Sequence, residues 1–199
     1  MNATTSSLVD ARGVPVSDCI PQSLQDYETA LLQFHSYFGD PTETLSKTLE
    51  ADPEFVLGHV FFASALLMMT ERQYLPMIRE HVEAAEALDS KANARERQLT
   101  LAARQWMAGD WDRASLTWDQ VLLDHPLDAM ALQLGHLTDF YRGDCFNLRD
   151  RVCRVMTSWD KSVPGYSYIL GMQAFGFEEC NQYDKAELVS NTALELSLI

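Results

Sequence analysis

The chain has 199 residues, 47% hydrophobic and 10% aromatic, and a formal charge of −14. That apolar share excludes a disordered chain and supplies a sizeable core, while 9 glycines and 7 prolines exclude collagen-like and low-complexity classes. The acidic balance repels phosphate, so nucleic acid and anionic membranes are not expected partners, and the longest apolar run falls far short of the roughly 20 residues that span a bilayer.

Residues 1–21 have no periodicity, and no basic stretch leads into an apolar core, so they read as a mobile segment rather than a secretory leader. From 22 onward apolar residues recur at helical spacing. The pattern predicts helices over 23–37, 42–51, 55–70, 74–88, 95–108, 111–124, 129–141, 147–159, 166–177 and 184–196. The clearest unit places Leu99, Ala102, Ala103, Trp106 and Met107 on one face and Ala114, Trp118, Val121 and Leu122 on the next, with Gly109-Asp110 between them. Small residues at Ala102 and Ala114 let two antiparallel helices approach closely. No alternating apolar run bounded by turn residues predicts a strand.

The helices repeat in pairs. Trp111-Asp112-Arg113-Ala114 and Tyr183-Asp184-Lys185-Ala186 are 72 residues apart, and Pro53 and Pro126 are 73 apart. Both offsets are two units near 36. The expectation is an all-α, right-handed solenoid of about five stacked helix–turn–helix hairpins over 22–199, whose first helices line a concave groove.

Three residues on first helices are candidate groove residues: His59, His136 and Asp139, the last one turn beyond His136. Together they suit part of an acid–base or metal site; separately, each histidine suits a core position with one hydrogen bond. Arg149, Arg151 and Arg154 form the densest basic cluster, inside the one neutral section of the chain. They suit an anion or a carboxylate, or else a solvated face paired with Asp144 and Asp150. Cys19, Cys145, Cys153 and Cys180 lack zinc-type spacing; they read as reduced thiols, a link between Cys145 and Cys153 being open. No phosphate-binding glycine loop, nucleophile elbow or zinc-helix motif occurs, so neither metal nor cofactor is expected.

Leu101-Ala102, Trp111, Ala114, Trp118, Val121 and Pro126 resemble the tetratricopeptide repeat consensus. The stretches 51–67, 94–144 and 168–196, with Gly58-His59, RERQL at 95–99 and DHPLD at 124–128, resemble the tetratricopeptide repeat protein 38 family more specifically. That resemblance implies a cytoplasmic helical-repeat protein, of which this chain covers the N-terminal part. The expected function is a scaffold that holds a peptide or partner protein in its concave groove. The alternative is the N-terminal part of a larger enzyme-like or metal-binding protein whose site the missing half completes. The last helix carries Leu188, Val189, Ala193, Leu194 and Leu196 around much of its circumference, so self-association through that uncapped end is also expected.

Overall fold

Short polar loops, most of them ending in an acidic or amide side chain, set where the helices begin. In the computed structural model, which describes residues 8–197, Asp40 caps the second helix by accepting from Thr42 N and Glu43 N. Asp110, Asp128 and Asp144 accept from the amides of Arg113, Ala131 and Asn147, and Asn93 and Glu96 form a reciprocal capping box. Part of the negative charge is therefore helix-capping charge, favoured at the positive end of each helix. Pro21 and Pro41 stand at first helical positions, where a missing N–H matters least.

Ten α-helices result among the described residues: α1 Pro21–Ser36, α2 Pro41–Ala51, α3 Val56–Met68, α4 Leu75–Ala87, α5 Ala94–Met107, α6 Trp111–Asp124, α7 Ala129–Arg142, α8 Cys145–Val155, α9 Tyr166–Glu179 and α10 Tyr183–Ser197. Each packs mainly on its neighbour in sequence, and α3 also meets α5, as α7 meets α9. The chain is an all-α array of helical hairpins. The 147–159 helix of the sequence reading divides: α8 ends at Val155 and a 3₁₀ turn, Met156–Ser158, follows.

Two points go beyond the sequence reading, and the first corrects it. The first concerns strands and the mobile N-terminal segment. Leu8–Val9 (β1) and Pro15–Val16 (β2) form a two-stranded antiparallel hairpin, turned by Asp10, whose Oδ1 accepts from Arg12 N and Val14 N. Val14 and Val16 are buried, and the hairpin is tied directly to two helices. Arg12 pairs with Glu28 of α1 at 2.7 Å, Pro15 O accepts from Arg95 Nη1 of α5 at 3.0 Å, and Ser17 N donates to Glu96 Oε1 at 2.9 Å. Arg95 in turn pairs with Asp128, the cap of α7, at 2.6 Å. Residues 8–20 thus belong to the folded body. The rest of the expected mobile segment, 1–7, lies outside the described residues.

The second point concerns one of the first helices, α3. An open trough along the first helices would leave one face of each exposed, yet all thirteen residues of α3 are buried. Tyr27 and Phe34 of α1 meet Phe61 of α3 edge-on at 5.8 and 5.5 Å. The C-terminal end of α1 reaches α7, where His35 Nε2 donates to Ala129 O at 3.4 Å and Tyr37 Oη accepts from Gln133 Nε2 at 3.2 Å. Tyr141 Oη of α7 donates to Met68 O of α3 at 2.8 Å. Helix α1 therefore crosses the middle of α3, and α7 reaches the C-terminal end of α3. A fully buried Leu, Val or Phe contributes roughly 1.5–3 kcal/mol, so this central helix carries much of the core.

Candidate functional site

Two adjoining clefts share Tyr37 and Leu137. The larger, about 760 Å³, is lined chiefly by α1, α3 and α7: Phe34, Phe62, Leu66, Met69, Phe140 and Tyr141. The smaller, about 390 Å³, lies between the end of α1, α7 and α9 and is lined by His35, Gln133, His136, Tyr168 and Phe175. Tyr37, which lines both clefts, is 75% accessible, and Phe38, next to it in sequence, is 82% accessible. Tyr37, at φ 54°, and Thr70, at φ 55°, end α1 and α3 in the left-handed region. That conformation is costly for side-chain-bearing residues, above all for β-branched threonine.

The smaller cleft has a definite polarity. His136 Nδ1 lies 3.2 Å from Leu148 O, and His35 Nε2 is held by Ala129 O. A carbonyl only accepts, so each of these nitrogens carries the proton and the other ring nitrogen keeps its lone pair. Burial pushes both imidazoles down to about 4, with Arg151 reinforcing the shift at His136 and Arg12 at His35. The cleft thus pairs two neutral hydrogen-bond acceptors with the rings of Tyr168, 5.7 Å from His35, and Phe175, 5.9 Å from His136. It suits a ligand group that donates hydrogen bonds and has an apolar body. The sequence reading missed His35, because nothing local shows that α1 turns back onto α7, 94 residues along the chain.

His59, His136 and Asp139 do not form one site. His59 lines neither cleft. Its Nε2 donates to Pro53 O at 2.9 Å and its Nδ1 faces His81 Nδ1 at 2.9 Å. His81 supplies the proton there, since the other tautomer would leave Pro53 O without a donor. The His81 ring stacks on Phe62 at 4.1 Å, and burial, then His59, pushes His81 down to about 4. Asp139 is turned toward α6 and α8, where Arg151 grips it through Nε at 2.8 Å and Nη2 at 3.1 Å. Among the described residues no three His, Cys, Asp or Glu side chains stand together as a metal site.

The basic cluster is likewise committed internally. Arg151 is fully buried; beyond Asp139 it pairs with Asp119 at 2.6 Å and donates to Ser115 Oγ at 2.8 Å. Gly135 makes room for it, since a Cβ there would sit 2.9 Å from Arg151 Nε. Arg154 pairs with the same Asp119 at 2.6 Å, and Arg149 with Asp150 at 2.6 Å. Asp150 is the partner the sequence suggested for a solvated face; Asp119 and Asp139, 32 and 12 residues from Arg151, were not legible from helix spacing. The anion contact expected of Arg149, Arg151 and Arg154 is therefore corrected at Arg151, whose guanidinium has no outward face.

No family model matches the chain, and no solved structure matches it. Among the described residues no helix is long and apolar enough to cross a membrane.

Proposed function

We propose that this chain is a protein-interaction module, a right-handed tetratricopeptide-like array resembling the N-terminal part of the tetratricopeptide repeat protein 38 family. On this reading it holds a peptide or a segment of a partner protein in the two adjoining clefts. The observation that carries the proposal is the apolar lining of the larger cleft, which includes the exposed Tyr37, Met69 and Phe140. Solvent-facing apolar residues gathered at one place mark interaction sites, whereas scattered ones do not. Aromatic and methionine side chains are the types that anchor partners and adapt to them. The net charge of −14 favours a partner whose flanks are basic. The His35–His136 cleft would then select a hydrogen-bond donor at one end of that segment.

The histidine–aspartate alternative, a site completed by a further part of the protein, has less support, since His59, His136 and Asp139 each have separate partners.

Selection of a random peptide library on the purified chain tests the proposal. Peptides with two or more apolar anchors should emerge, and Phe140→Glu should weaken them at least tenfold. Leu123→Glu, at a more open position on α6 outside both clefts, should leave them unchanged. Selected peptides indifferent to Phe140→Glu, or sensitive to both changes alike, would remove the cleft from consideration.

A further inference from the structure

Helices α8 and α9 run antiparallel in very close contact. The closest recorded point is Gly176 of α9, where a Cβ would sit 2.7 Å from the Arg149 Cα of α8. One turn from Arg149 toward the start of α8 is Cys145, its first residue; one turn from Gly176 past the end of α9 is Cys180, its C-cap. Residues four apart share a helix face, so the two cysteines face each other across this contact. The side chains agree with the register, because Cys180 Sγ donates to Cys145 O at 3.1 Å. Both thiols are partly exposed and unbridged.

We propose that Cys145 and Cys180 are a modification site, a dithiol that closes to an intrachain disulfide and staples α8 to α9. Backbones that approach this closely bring facing Cα atoms within the roughly 4.4–6.8 Å that a disulfide requires. Cys153 does not compete for Cys145: the two are eight residues apart on one helix, about 12 Å along its axis. Cys153 instead accepts from Gln173 Nε2 at 3.7 Å. Cys19 lies beside Asp52 and Glu96, and burial, then those carboxylates, pushes its thiol up to about 11. Burial also raises the Cys180 thiol, opposed by Arg149 and reinforced by Cys145, which favours the protonated form of Cys180.

The oxidant is a low-molecular-weight disulfide. One cysteine thiolate attacks it, forming a mixed disulfide and releasing one small thiolate. The second cysteine sulfur then attacks the protein sulfur of that mixed bond and expels the other. One small disulfide becomes two small thiols, and two electrons and two protons leave the protein pair.

The test is oxidation of the full chain with glutathione disulfide, followed by alkylation and tryptic digestion without reductant. The expected product joins 143–149 to 162–185, each of which holds one cysteine. Its appearance should survive Cys153→Ser. In Cys145→Ser or Cys180→Ser the remaining cysteine should stop at the glutathione adduct. The oxidised chain should melt roughly 5–10 °C higher than the reduced one, a gain that dithiothreitol reverses. Stable glutathione adducts on both cysteines of the unmodified sequence, or links only between molecules, would overturn the proposal.

Discussion

Arg151 is held at five points and is wholly buried, so its energetics differ from those of the surface charges around it. Removing the guanidinium while Asp139 stays leaves a buried carboxylate that only Ser115, Asn147 and Arg142 still contact. Arg151→Met should therefore lower the unfolding free energy by about 3–5 kcal/mol, read from urea denaturation, and adding Asp139→Asn should restore part of it. A loss under about 1 kcal/mol would show that the ion pair is solvated. The cleft histidines give a second residue-scale expectation. Both are neutral when folded, pushed from 6.5 to about 4, so the unfolded chain binds their protons first as pH falls. The histidine contribution to stability should decline from about pH 6.5 toward 4, about 3 kcal/mol for each ring once the descent is complete, while carboxylates held below their usual range, such as Asp40, go on costing stability at lower pH. His136→Gln should flatten the urea-midpoint profile in that window relative to the parent chain. An unchanged slope would mean that the ring titrates normally. Neither behaviour was legible in the sequence: Arg151 and Arg154 look alike there, and only tertiary packing, with Gly135 opposite, separates a buried side chain from an exposed one.

At the scale of elements, periodicity was sufficient for the helices. Each unit presents an apolar stripe that its neighbours must cover, and cap residues such as Asp110 and Asn93 mark the starts. The N-terminal hairpin escaped notice because its strands are two residues each, too short for any alternation to register. The one local sign was Asp10-Ala11-Arg12-Gly13 between apolar pairs, a turn sequence with Gly13 at φ 78°. Its anchorage through Arg95, Glu96 and Asp128 is entirely long-range. Val16→Asp places a charge where Val16 is 4% exposed and should detach the hairpin. Amide hydrogen exchange should then rise over 8–17 while α6 and α8 keep their protection. Loss of protection throughout would show instead that the hairpin is inseparable from the main cooperative unit.

For the whole molecule, sequence repeats conveyed how successive helices pair but not how far the array winds. Contacts of α1 with α7, and of α3 with α7, skip intervening hairpins, and no repeat period encodes them. Around these contacts lie the two adjoining clefts, and the proposed partner site is there. The Arg95 anchor of the hairpin has a consequence for biosynthesis. Pro15 finds its donor 80 residues later in the chain, and that donor's own carboxylate partner, Asp128, comes 33 residues later still. On a translating ribosome the hairpin is therefore made well before the residues that hold it in place. Until α5 has emerged, the Pro15 carbonyl and the Ser17 amide lack the partners that hold them in the folded chain, an interval in which an early hairpin is tied to α1 alone.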